Sequence, residues 1–168
     1  AVTVGASLHA FSETEQRVLR LDAVFKATGQ SAGVTTAEIV ELAAALQRTT
    51  TATDDQILEA AASLATFRAV TGDAFRDALR LGADMAEVFG GDVRSAVTQL
   101  GKALEDPVTG LTMLRRVGVT FSETQREVIA RLVETGEVAQ AQRLILRGVE
   151  EQLGGASAGA AGGLAGAV

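Results

Sequence analysis

The sequence predicts an all-α fold, a bundle of about seven to eight short antiparallel helices followed by a flexible Gly/Ala-rich C-terminal tail. Three observations carry that expectation. Apolar residues recur at three- and four-residue spacing along most of the chain, the pattern of helices with one buried face. Ser, Thr or Asp caps and glycine stops punctuate it at intervals of about eight to eighteen residues. No segment alternates with period two over the length of a strand. Composition agrees: 47% hydrophobic and 21% charged residues, one proline, no tryptophan or tyrosine and six phenylalanines describe a globular Ala- and Leu-rich chain. Its 168 residues suffice for one ordinary domain with its own core. The expected division is an irregular segment over 1–11, a helical domain over 12–153, and a Gly/Ala-rich linker or the start of a further helix over 154–168. Short connections favour antiparallel neighbours.

In chain order, Ser12 with Glu15 reads as a first capping box, and Val18, Leu21 and Phe25 line one face up to a stop at Gly29. Thr35 with Glu38 makes a second box, with Val34 and Ile39 placed as a hydrophobic staple and Ile39, Leu42, Ala43 and Leu46 as an apolar stripe. The threonines from Thr49 to Thr53 interrupt it. Thr53 with Gln56 opens a third helix carrying Ile57, Ala61, Leu64 and Ala65, read as running to Gly72. After Asp73, the positions Phe75, Leu79, Gly82, Ala86 and Phe89 share a side, Gly82 allowing a close helix approach before the break at Gly90 and Gly91. Later, Val128, Ile129, Leu132 and Val133 form a face ended by Gly136, and Val138, Ala141, Ile145 and Val149 another, over a last regular helix from Glu137 to Leu153. FSETEQRVLRL at Phe11 and FSETQREVIARL at Phe121 echo one another, read as two similar capping boxes rather than a duplication.

The stretch from Asp92 to Gln125 organises the rest. Val93, Ala96, Val97, Leu100 and Leu104 lie on one helix face. Asp106 then caps a short helix with Pro107 at its first position, where a missing N–H costs nothing. Val108, Leu111 and Leu114 continue the stripe, Gly118 supplies the residue able to take positive φ, and Ser122 with Gln125 boxes the next helix.

Charge and chemistry narrow the function. With 21 acidic against 15 basic side chains the net charge is −6, which disfavours nonspecific attraction to nucleic acid, and no basic run exceeds Arg115-Arg116. That pair reads as a solvated helix end rather than an anion clamp. Without cysteine there is neither disulfide nor thiolate chemistry. His9, the single histidine, has no second soft ligand for a transition metal. Gly101-Lys102 resembles the end of a phosphate loop, yet it sits inside a helix and lacks the earlier glycine. Glu105-Asp106 and Asp54-Asp55 read as caps and first-turn residues rather than acid/base pairs. No catalytic, cofactor-binding or metal-binding residues are therefore assigned, no cofactor is expected, and an enzyme is not expected. The uncharged end, QLGGASAGAAGGLAGAV, places Gly155, Gly159 and Gly163 four apart. It reads as a flexible linker, with a close-packed helix in an oligomer or a membrane segment as alternatives. No other stretch offers a membrane contact, and this one falls short of the ~20 apolar residues of a span. A start at Ala1 without methionine or signal peptide, and an end inside a Gly/Ala run, are expected of a piece of a longer polypeptide.

The run LGKALEDPVTGLTMLRRVGVTFSETQ resembles the tail length tape measure proteins of long-tailed bacteriophages and prophages, and the similarity extends more weakly through LATFRAVTGDAFRDALRLGADMAEVFGGD and ETGEVAQAQRLILRGVEEQLGGASAGAA, over roughly the C-terminal two thirds. The residues that carry it are Leu100, Gly101, Lys102, Ala103, Leu104, Asp106, Pro107, Gly110, Leu111, Leu114, Gly118, Val119 and Phe121, in a structural rather than chemical role. The resemblance implies a mostly helical structural protein in the lumen of the tail tube of the virion, setting tail length during assembly in the host cytoplasm. It also implies several copies per tail, and as partners the tail tube protein, tail assembly chaperones and distal tail or baseplate proteins. The alternative is a stand-alone helical interaction or adaptor module that holds a partner helix in an apolar groove.

Overall fold

The computed structural model describes the backbone of residues 2–166 and the side chains of residues 13–154. Eight α-helices and one 3₁₀ turn are found there: α1 (Val2–Ala27), α2 (Thr36–Thr49), α3 (Asp54–Leu64), α4 (Asp73–Phe89), α5 (Val93–Glu105), α6 (Pro107–Leu114), the 3₁₀ turn Arg115–Val117, α7 (Glu123–Glu134) and α8 (Val138–Gly166). No strand occurs among the described residues. The all-α bundle stands, while His9 and the Gly/Ala end have side chains outside the described residues.

Local chemistry starts and stops most helices as expected. Reciprocal capping boxes form at Thr35/Glu38, Thr53/Gln56 and Ser122/Gln125. Val34 and Ile39, the expected staple, are both buried. Asp106 accepts a hydrogen bond from the Thr109 N–H at 3.3 Å with Pro107 behind it. Gly118 closes the 3₁₀ turn at φ +99°.

Three boundaries differ: residues 2–11, expected to be irregular, are the first part of α1, α3 ends early, and α8 runs to Gly166 rather than to Leu153. Helix α1 runs through Ser12, so Ser12 and Glu15 open no helix and the echo with Ser122 has no matching role. Helix α3 stops at Leu64 rather than at Gly72. Residues 65–72 instead form a turn series tied to distant segments: the Gly72 N–H donates to the Ala32 carbonyl at 2.7 Å, and the Ala69 N–H to Glu105 Oε2 at 2.9 Å. Tertiary hydrogen bonds there outcompete one more helical turn.

One hydrophobic core joins the helices, from Leu21 of α1 to Leu153 of α8. Its largest fully buried members include Phe75, Ile39, Ile57, Leu79, Met85 and Leu100. Helix α5 lies at the centre, touching α3, α4, α6 and α8. Helix α1 covers α2 and α3, and α8 lies against α4 and α7. Phe25 of α1 and Phe75 of α4 meet edge to face with ring centroids 6.0 Å apart. Phe89, expected in the α4 face, is 38% exposed.

Candidate functional site

The residues singled out in the α5–α6 stretch come together as a packing site. Leu100, Ala103, Leu104, Leu114 and Val119 are fully buried, and Gly101, Pro107, Gly110 and Leu111 are buried with them. Lys102 and Asp106 face solvent, Asp106 as the α6 cap, and Gly118 is an exposed turn. Phe121 is half-buried against the core.

Glycine explains why these helices sit so close. A Cβ at Gly110 would collide with the Cα of Ala103 and stand 2.8 Å from the backbone oxygen of Lys102, so α6 rests on the α5 backbone itself. A Cβ at Gly101 would stand 2.6 Å from the Phe67 ring, so α5 accepts that ring where a side chain would otherwise point. At Gly82 of α4 the obstacle would be the Val97 side chain, which bears out the close approach expected there.

Two glutamines of α8 complete the arrangement, and neither was singled out in the sequence. Gln142, 5% exposed, donates from Nε2 to the carbonyls of Ala69 at 2.8 Å and Leu104 at 3.0 Å. It thus satisfies the end of α5 and the 65–72 turns together. Its position four residues after Val138 and three before Ile145, inside the apolar stripe, is the signal that could have revealed it. Gln152 accepts from the Thr120 N–H at 2.9 Å and donates to the Thr120 carbonyl at 2.8 Å, pairing α8 with the strand-like entry to α7 as a backbone segment would.

Charged groups form interhelical ties. Arg17 reaches Asp55 at 3.0 Å and Glu59 at 3.2 Å between α1 and α3. Arg80 meets Glu150 at 3.0 Å between α4 and α8, and Arg76 meets Glu38 at 3.0 Å. Hydrogen bonds from Thr35 and then the Arg76 guanidinium hold the Glu38 carboxyl below its usual range. Ser95 and Thr109 do the same for the capping carboxylates Asp92 and Asp106. Burial pushes Asp84 the other way, upward, against the opposing pull of Arg80.

Among the described residues no group of three or more His, Cys, Asp or Glu is arranged to hold a metal ion. Nor is any helix there long and apolar enough to cross a membrane. Asp54 and Asp55 lie in the first turn of α3 and Asp106 caps α6, as expected, but Asp55 also meets Arg17, and Glu105, the last residue of α5, is neither a cap nor a first-turn residue: it accepts the Ala69 N–H. What the geometry offers is rigid helix-on-helix packing.

A family model described as prophage tail length tape measure protein matches residues 1–130. The match takes in α1 to α6 and most of α7, so it reaches the first fifty residues, which the resemblance left aside, and stops before α8, to which the resemblance extended. No curated protein and no solved structure matches the chain. With more than half its length matched by that model, and the all-α bundle to go with it, the chain belongs to the prophage tail length tape measure protein family, whose members are structural proteins of phage tails.

Proposed function

We propose that this chain is a folded domain near one end of a tape measure protein, outside the extended ruler. The ruler proper, by this reading, lies elsewhere in the polypeptide and sets tail length from within the tube lumen, after assembly in the host cytoplasm. The tube protein, tail assembly chaperones and distal tail or baseplate proteins are the partners the reading calls for, with several copies in each tail and no catalytic role. The 12–153 segment is the folding unit, with 154–168 the linker or helix leading onward, and the Leu100–Phe121 residues are its structural signature.

The observation that carries the reading is the continuous core. The rival reading, in which the bundle opens into extended helices inside the tube, requires a core of small Ala and Val residues that is cheap to open. The core instead buries Phe75, Leu21, Ile39, Ile57, Leu79 and Met85 completely. Each such side chain contributes about 2 kcal/mol that opening would forfeit. Gln142 would also leave two carbonyls behind. A stand-alone adaptor would account for the helical periodicities but not for the family match.

In-frame deletion of residues 35–150 from the full gene, followed by measuring tails in electron micrographs, tests this. Tails of unchanged length, or failure to assemble tails, are expected of an end domain. Tails shorter by about 170 Å, the helical rise of the deleted residues, would put the segment in the ruler instead.

A further inference from the structure

Arg115 and Arg116 in the 3₁₀ turn and Arg126 in α7 open onto one cavity of about 570 Å³, which Leu111, Thr112 and Phe121 also line. No carboxylate lines it, and none of the three arginines makes an ion pair among the described residues. The other cavity with several arginines, Arg17, Arg20 and Arg94, includes Glu59, which bonds Arg17 at 3.2 Å. Acids are not scarce in this chain, at 21 against 15 bases, so three guanidinia converging without one is a local feature.

Phe121 also lines a second space, a groove of about 220 Å³ between α7 and α8 walled by Val128, Ile129 and Leu144, with Arg147 and Glu151 beside them. Val128 is 42% exposed there. Cationic cavity and apolar groove therefore meet at one ring.

We propose that this surface docks an acidic amphipathic segment of a partner protein. Its carboxylates sit among Arg115, Arg116 and Arg126, whose planar forks match them, and an apolar side chain passes Phe121 into the groove against Val128. A nucleic acid fits less well: the net charge of −6 opposes long-range attraction, and the groove's walls, Val128, Ile129 and Leu144, are apolar, with Glu151 beside Arg147 to repel a phosphate. The site stands apart from the end-domain reading, since it requires only that α6, α7 and α8 pack as they do.

The test uses the 168-residue chain and a fluorescent synthetic peptide, helical, with Glu on one face and Leu on the other. Fluorescence anisotropy is expected to show binding that weakens about tenfold when the peptide's Glu residues become Gln, and again when the protein carries R115Q, R116Q and R126Q together. Val128→Ser is expected to weaken it severalfold. The triple variant R48Q, R68Q and R143Q makes the same charge change elsewhere and is expected to bind as the parent does, with circular dichroism showing every variant folded. Equal binding of the Glu and Gln peptides, or equal loss in both triple variants, would overturn the proposal. So would tighter binding of an oligothymidine through the same three arginines, which would reassign the surface to nucleic acid.

Discussion

Helices α5 and α7 are nearly the same length, and each is opened by a side-chain cap, Asp92 on the Ser95 N–H at 2.9 Å and Ser122 on the Gln125 N–H at 3.1 Å. Yet α5 buries seven of its thirteen residues and α7 only Ile129 of its twelve. A cap starts a helix without deciding how deeply it is seated. Helix α5 is seated by small residues, Ala96, Gly101 and Ala103, and by the glycines facing it, Gly82 and Gly110, which let backbones approach until neighbouring side chains fill the space between. Helix α7 gathers its charged residues, Glu123, Arg126, Glu127, Arg131 and Glu134, on one face and leans on α8 through Ile129, with Leu132 and Val133 only partly covered. Such a helix belongs at the low end of local stability, where surfaces that meet partners are commonly found.

The sharpest way to break this comparison is to add bulk on each side. Gly110→Leu drives a side chain into the Ala103 backbone, which has no rotamer through which to yield, and is expected to cost about 3 kcal/mol or more in urea unfolding. Ala130→Leu in α7, half-buried, should stay within about 1 kcal/mol. Equal costs would mean that the two helices are seated alike.

Next comes the glutamine pair. Gln142→Leu strands the Ala69 and Leu104 carbonyls and is expected to cost about 2 kcal/mol. Gln152→Leu, on the exposed Thr120 backbone where water can replace it, should cost under about 1 kcal/mol, with faster amide exchange confined to α7. Global loss in the Gln152 variant would show α7 to be integral to the cooperative core.

The smallest effect separates the caps by pH. The folded-state pKa of Asp92 is lowered by Ser95, so its contribution is fully present above the ordinary carboxylate range and is lost as pH falls through the lowered value. Asp92→Asn should therefore flatten the acid side of the stability curve. Ser122 does not titrate there, so Ser122→Ala should cost about 1 kcal/mol at every pH from acid to neutral. A Ser122 variant with the same pH dependence as the Asp92 variant would contradict the assignment of the acid response to the α5 cap.

Much of this was legible in the residues themselves. Helix starts at Thr35, Thr53, Asp92, Asp106 and Ser122 were, because a cap acts within three residues of itself, and so were stops at Gly118 and Gly136, which take positive φ. The first box misled, since Ser12 carries the same letters inside a longer helix. The α3 boundary misled because what ends the helix, Glu105 and Gln142 holding Ala69, lies 36 and 73 residues away. The motif around Gly101 and Gly110 was visible as a pattern, but its use was not: a glycine's spacing does not say whose backbone or ring fills its empty side.

The sequence by itself determined an all-α chain, the positions of most helix ends and the absence of cysteine chemistry, because caps, glycines and composition act locally or by simple count. Only the tertiary structure decided that α5 is central and α7 peripheral, that Gln142 joins three segments, and that three arginines share a cavity with no carboxylate. Those outcomes depend on which faces meet, and packing settles that among residues far apart in the chain.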